Sequence, residues 1–179
     1  RRQRQMCIRD SKRISVAEVC ISIGSNIDKE KNIPAAIAQL EKNFSTLKLS
    51  SVYESKSAGF DGNDFHNLVV FFKSENSPEE IIEILRNIEK SLGRVRKENK
   101  FSDRTIDLDI LLYDDLTQKN QNYSIPSEEI TEYAFVLLPL AEIAGEKIHP
   151  ELLVPISEIW EEFKALNKKQ LENINKIQS

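Results

Sequence analysis

The order of elements along the chain predicts an α+β fold, a ferredoxin-like layer with helices packed on a largely antiparallel sheet. Three observations carry this prediction. Stretches of period-two alternation run through Ile21, Leu68 and Leu108; two amphipathic stripes of helical period fall between them; and the resulting order is β, α, β, β, α, β, α. With 179 residues and 40% hydrophobic content, the chain has the size of one domain with a sizeable core.

In VAEVCISIGSN, Val19, Ile21 and Ile23 share one face before Gly24, Ser25 and Asn26 break the strand. Pro34 stands near the start of a helix whose stripe is Ala35, Ile37, Ala38, Leu40 and Phe44. A second strand lies near LKLSSVYES, and KSAGFDGND reads as loop. FHNLVVFFKSE is the third strand, with His66, Leu68, Val70 and Phe72 opposing Phe65, Asn67, Val69 and Phe71.

Ser77, Pro78 and Glu80 spell an N-cap, a first helical position and a capping-box partner for helix two, whose stripe is Ile81, Ile84, Leu85, Ile88 and Leu92. Gly93 is placed to end it. After the basic loop RVRKENKFSDR comes a strand through Ile106, Leu108, Ile110 and Leu112. IPSEEITEYAFVLLPLAEIAG then reads as a loop, a helix and an exit marked by proline and glycine. From Ser157 a helical pattern of Ile159, Trp160, Phe163 and Leu166 fades into polar residues.

Charge is unevenly spread. Arg1, Arg2, Arg4, Arg9, Lys12 and Arg13 face only Asp10 within residues 1–13, so the rest of the chain is more acidic than the total of −4 indicates. A general polyanion binder is not expected from such a body. Residues 1–13 are read as a basic leader outside the domain, or as an artefact of the sequence. No apolar run approaches the roughly 20 residues of a membrane span, and no secretory signal is expected. Cys7 and Cys20 form neither a disulfide framework nor a metal-ligand spacing, which points to the cytoplasm.

The chemistry concentrates in FSDRTIDLDILLYDD. Residues two apart in a strand share a side, so Asp107 and Asp109 face one way while Ile106, Leu108 and Ile110 face the core; Leu111 and Tyr113 are expected to continue the acidic face as an apolar one. Paired carboxylates repel, and a divalent cation removes that cost. Magnesium suits such a pair because it takes a few carboxylates together with water and phosphates. Arg94, Arg96, Lys97, Lys100 and Arg104 lie just upstream against only Glu98 and Asp103, a set of donors for phosphoryl oxygens.

Taken singly, an Asp-x-Asp strand is also compatible with a solvated face, and the basic run with a solvated loop. Asn67 reads either as an amide for a heterocycle's edge or as a satisfied loop contact; Phe65 and Phe135 read either as ring contacts or as core. Glu89 suits a ribose contact or a solvated helix face. Gly24 to Asn26 match no dinucleotide or P-loop pattern, and His66 and His149 are assigned no catalytic role.

GRVRKENKFSDRTIDLDILLYDD resembles the central signature of the 6-hydroxymethyl-7,8-dihydropterin pyrophosphokinase family. The likeness continues co-linearly through ISIGSN, YES, FHNLVV, IEKSLGRVRK, IPSEEI and AFVLLPL, from about Val16 to about Ile156. The resemblance implies a catalytic domain over residues 14–156 with a helical extension over 157–179. It implies transfer of the terminal diphosphate of ATP to the hydroxymethyl group of 6-hydroxymethyl-7,8-dihydropterin, in folate biosynthesis. From charge, cysteines and the lack of an apolar span the chain is expected in the cytoplasm with no nucleic-acid or membrane partner, and, since nothing in the sequence requires a dimer, as a monomer.

Carried over residue by residue, Asp107 and Asp109 would bind two magnesium ions, and Arg94 and Arg104 would engage the transferring phosphates. Arg96 and Lys97 would serve the nucleotide, Glu89 and the main chain near Ile110 its adenosine part, and Phe101 the closing loop. Phe65 and Phe135 would sandwich the pterin, Asn67 would read its edge, and Ser55 with the backbone near Ala58 would complete that pocket.

The chain departs from the family pattern at Ser127 and Tyr133, which replace basic residues of the nucleotide region, and at YESKSAG, which replaces a Thr-Pro-containing stretch. Tyrosine donates a hydrogen bond but supplies no guanidinium fork. Lys56, Arg86 and Lys97 are the candidates to compensate. The alternatives are a catalytically impaired pterin- or nucleotide-binding relative and a ferredoxin-like RNA-binding module. The acidic body and the lack of a Lys/Arg-led aromatic strand motif weigh against the latter.

Overall fold

The computed structural model describes residues 16–57, 62–94 and 103–177. Its elements are β1 (Ala17–Ser25), α1 (Lys29–Asn43), β2 (Lys48–Leu49), β3 (Tyr53–Ser55), β4 (Phe65–Ser74), α2 (Pro78–Ser91), β5 (Asp107–Tyr113), β6 (Gln118–Lys119) and β7 (Ser124–Ile125), followed by α3 (Glu129–Glu132), α4 (Ala134–Ala144), α5 (Ile156–Leu166), α6 (Lys168–Leu171) and β8 (Ile174–Lys176).

The strands of the main sheet run in the order β5-β1-β4-β3-β8, with β2 also on β4, and every pairing is antiparallel. β1, α1, β3, β4, α2 and β5 therefore form the expected ferredoxin-like layer. β6 and β7 make a separate small hairpin.

Apolar residues cover both faces of the central strands, which is why β1 and β4 read as nearly continuous hydrophobic runs. On one face Ile21, Ile23, Leu68, Val70, Phe72 and Leu108 pack against Leu40 of α1 and Ile81, Leu85 and Ile88 of α2. Phe44 stacks on Phe72 with ring centroids 4.1 Å apart. On the other face Cys20, Val69, Leu111 and Leu112 meet Leu137 and Leu140 of α4 and Ile159 and Phe163 of α5. Truncating a fully buried leucine such as Leu85 in such a core costs about 2–5 kcal/mol.

α2 begins as its sequence dictates. Ser77 Oγ accepts from Glu80 N–H, the Glu80 carboxylate accepts from Ser77 N–H at 2.7 Å, and Pro78 holds the first helical position. Gly93 follows the helix at φ +83°, where a side chain would be strained. α1 starts earlier than Pro34 suggests, so Pro34 lies inside it.

Three expectations are corrected. The alternation of β5 does not persist to its end: a bulge opposite Cys20 and Ile21 shifts the register, so Leu111 and Leu112 both join the α4 side. Tyr113 packs with the opposite cluster and donates to the Asn76 carbonyl at 3.0 Å. Pro139 does not mark an exit but sits buried within α4, whose packing against β4 and α5 outweighs the lost N–H. The polar end of the tail contains β8, which pairs with β3. No helix among the described residues is long and apolar enough to cross a membrane.

Candidate active site

Three strands set the floor of the site. Gly24 on β1 pairs with Asn67 on β4 and with Asp107 on β5, while Ser22 pairs with Val69 and Asp109. Period-two geometry places Asp107, Asp109, Gly24, Ser22 and Asn67 on one sheet face, the face that carries α4. His66 and its ion pair with Glu54 lie on the other.

A cavity of about 470 Å³ opens over this floor, within the roughly 300–1,000 Å³ usual for small-molecule sites. Ser55, Phe65, Asn67, Arg94, Arg104, Asp107, Asp109, Ile110 and Phe135 all line it. It also wraps around the β5 edge, where Ile82, Leu85 and Arg86 of α2 form a second wall. Ser127 and Tyr133 line it too, as does Lys56. Ala58, Arg96, Lys97, Lys100 and Phe101 lie outside the described residues.

One end of the cavity is lined by the Asn67 amide and the rings of Phe65 and Phe135. Asn67, 7% exposed, donates from Nδ2 to Ser55 Oγ at 2.9 Å, which fixes its plane and orients its carbonyl oxygen. Gly24 makes room for that oxygen: a Cβ at Gly24 would stand 3.3 Å from Asn67 Oδ1 and 4.0 Å from the Phe65 ring. Phe135, in the first turn of α4, is stacked by Tyr133 with centroids 5.0 Å apart and planes at 16°.

The other end is a charge cluster. Arg94 donates to the carboxylates of Glu89 and Asp107 and, at 3.0 Å, to the Ile106 carbonyl. Arg104 donates to the second Asp107 oxygen. Burial, followed by the like charge of Arg94, lowers the Arg104 pKa from the ordinary arginine value, while Asp109, Glu129 and Glu89 oppose the shift. Two cations therefore bracket a half-buried carboxylate beside the exposed Asp109.

Glu89 is not a cavity-lining group. It is 2% exposed and lies behind Arg94, where its carboxylate also accepts from Leu108 N–H at 3.0 Å. It ties α2 to β5 and sets the position of the guanidinium.

Asn26 is the residue that sequence reasoning missed. Buried to 4% exposure, it donates from Nδ2 to Asp103 Oδ1 at 2.6 Å and to the Asn63 carbonyl at 3.2 Å, and its Oδ1 accepts from Arg104 N–H at 2.7 Å. Ser25 Oγ adds a bond to the Thr105 carbonyl at 2.6 Å. The strand break at Ser25 and Asn26 thus fixes the base of the segment that carries Arg104. The only local signal was a pair of polar residues after a buried strand.

The donor chemistry fits magnesium. Among the described residues no group of three or more His, Cys, Asp or Glu side chains is placed to hold a metal, so no complete protein cage exists there. Asp107, whose oxygens Arg94 and Arg104 hold, and the exposed Asp109 share one strand face of the cavity, and a pair of carboxylates leaves coordination positions for water and phosphate oxygens, as magnesium requires and structural zinc does not.

Residues 20–145 match the sequence profile of the 7,8-dihydro-6-hydroxymethylpterin-pyrophosphokinase family. A 2-amino-4-hydroxy-6-hydroxymethyldihydropteridine pyrophosphokinase of Aquifex aeolicus is 35% identical over 145 residues, which cover 80% of this chain and 90% of that one. The Bacillus subtilis protein of the same name is 39% identical over 130 residues, 70% of this chain and 77% of that one. In fold, the chain superposes on wild-type Plasmodium falciparum HPPK-DHPS, solved with pterin and p-hydroxybenzoate, with a TM-score of 0.73 and 16% identity. That match covers 94% of this chain and 48% of the other, so the chain spans about half the length of that protein.

Proposed function

The chain belongs to the 7,8-dihydro-6-hydroxymethylpterin-pyrophosphokinase family, and on that premise we propose that it transfers the terminal diphosphate of ATP to the hydroxymethyl oxygen of 6-hydroxymethyl-7,8-dihydropterin, in folate biosynthesis. The observation that supports this most is that one cavity receives Asp107, Asp109, Arg94 and Arg104 at one end and Asn67, Phe65 and Phe135 at the other.

In the reaction the hydroxymethyl oxygen forms a bond to the β-phosphorus of ATP. The bond from that phosphorus to the oxygen bridging the α-phosphate breaks, its electron pair leaves with AMP, and the hydroxyl proton passes to solvent. Asn67 reads the pterin edge, Phe65 and Phe135 hold the ring between them, and Ser55 fixes the amide. Arg94 and Arg104 bind the phosphoryl oxygens as charge shifts toward the leaving AMP.

Asp107 and Asp109 would hold magnesium, two ions in this reading, which when bound would offset phosphate charge and align the reacting oxygens. Arg96, Lys97 and Phe101, which lie outside the described residues, are assigned by the resemblance to the nucleotide, and Ala58, also outside them, to the pterin pocket. The α2 wall beyond Ile110 takes the adenosine, with Glu89 serving it through Arg94. The reading includes a catalytic unit over residues 14–156, its extension over 157–179, and a cytoplasmic monomer that needs no nucleic acid or membrane.

The test is to follow AMP and pterin diphosphate by chromatography, with and without magnesium, using Asp107→Asn and Asp109→Asn as controls. Products that require ATP, the pterin and magnesium are expected. Pterin binding with neither product would favour the impaired relative and overturn the proposal.

A further inference from the structure

The C-terminal segment touches both walls of the ring-binding end of the cavity. On one side, Gln170 of α6 reaches the junction of α3 and α4: its Oε1 accepts from Ala134 N–H at 3.0 Å and its Nε2 donates to the Glu132 carbonyl at 3.1 Å. The two bonds straddle Tyr133. Tyr133 occupies the N-cap position of α4 and makes no side-chain cap bond, so Gln170 satisfies a first-turn N–H that the helix itself leaves without a partner.

On the other side, β8 pairs with β3, setting Ile174 opposite Ser55, and Ile177 N–H bonds to the Val52 carbonyl at 2.9 Å. Ser55 is the acceptor that fixes the Asn67 amide. Leu171 and Ile174 between these two anchors pack against the core under α4 and α5, so the segment is itself seated.

Resting on the pyrophosphokinase reading of this site, we infer that Gln170 is a positioning residue for the pterin: it sets the ring of Phe135, through the Tyr133–Ala134 backbone, against the wall that carries Asn67 and Phe65. Gln170 touches neither substrate nor the reacting atoms. Its effect is to fix the place of Phe135 before binding, so its loss falls on pterin affinity. The stacked pair of Tyr133 and Phe135 transmits the constraint, because displacing one ring displaces the other.

The experiment compares wild type with Gln170→Met, which keeps length without the amide, and Gln170→Ala, with Lys169→Ala as an exposed neighbouring control. Steady-state KM values for pterin and for ATP, kcat, the Kd of the pterin alone and the melting temperature are measured for each. Losing both backbone bonds is expected to raise pterin KM and Kd about fivefold in both Gln170 variants, with ATP KM and saturating kcat held within about twofold. Lys169→Ala should match wild type. A pterin KM and Kd unchanged in both Gln170 variants would overturn the inference. So would parallel changes in both KM values and kcat that track the melting temperature, the mark of a merely structural role. If wild type itself neither binds nor turns over the pterin, the functional reading falls and carries this inference with it.

Discussion

Asp107 and Asn67 flank Gly24 on a single sheet face, each one strand away from it. Two strand spacings amount to about 10 Å. A bicyclic ring with a one-carbon arm can bridge that span, its edge at the amide and its hydroxyl at the carboxylates.

The orientation of the Asn67 amide depends on the absence of a side chain at Gly24. A Cβ there would meet Asn67 Oδ1 at 3.3 Å, so Gly24→Ala should turn the amide and raise pterin KM about tenfold. Because glycine in a strand interior weakens it, the melting temperature should hold or rise slightly. An unchanged KM would show that Asn67 does not read the ring.

The two aspartates should respond differently to amidation. Both Asp107→Asn and Asp109→Asn are expected to lower kcat by at least about 100-fold. Only Asp107 is bonded to Arg94 and Arg104, so only its replacement should also cost about 1–3 kcal/mol in urea unfolding. Equal stability losses would contradict this division.

Arg94→Ala should be among the most destabilising changes near the site. It removes the Arg94 guanidinium from the buried Glu89 side chain, at a cost of up to about 3–5 kcal/mol. Glu89→Gln keeps an acceptor for Leu108 N–H while removing the charge, so the double variant should recover much of the stability and none of the activity. Denaturant midpoints together with turnover separate the two effects.

His149 makes stability depend on pH near neutrality. Its Nδ1 accepts from the N–H groups of Glu151 and Leu152 at 3.3 and 3.2 Å, and burial lowers its pKa from 6.5. Burial lowers that of His66 as well, with Lys29 adding to it and Glu54 opposing. Below about 6.5 the unfolded chain takes up protons that the folded chain refuses, so stability present at pH 7 is lost as pH falls through the unfolded value. Carboxylates such as Glu18, held low first by Lys147 and then by Lys73, act in a separate window below 4.5. Urea midpoints should drop between pH 7 and 5, and His149→Asn should flatten part of that drop.

A control lies far from the chemistry. Ser77→Ala removes the side-chain half of the capping box, the bond accepted from Glu80 N–H, and should cost about 1 kcal/mol with kcat and both KM values unchanged. Altered kinetics would mean that the α2 N-terminus communicates with the cavity.

Local patterns carried much of this fold. Buried strands impose period two, which exposed β1, β4 and the shared face of Asp107 and Asp109; helical stripes and the Ser77–Glu80 pair exposed α2. What escaped was either too short or too distant. β6, β7 and β8 have two or three residues each, fewer than a period needs. Asn26 acts on Arg104 and Gln170 on Ala134, contacts that no window of neighbouring residues contains. At Glu89 the residue was found but not its partners, because its burial depends on β5 lying beside α2.

β8 also determines how the sheet meets other molecules. Without it, the outer edge of Tyr53–Ser55 would present unpaired N–H and C=O groups, a template on which a strand of another chain could pair. With β8 in place the sheet ends instead on a three-residue strand whose last two residues, Asn175 and Lys176, are exposed and polar. A short edge that carries a lysine resists such pairing, so damage to the tail exposes the chain to aggregation as well as to loss of catalysis.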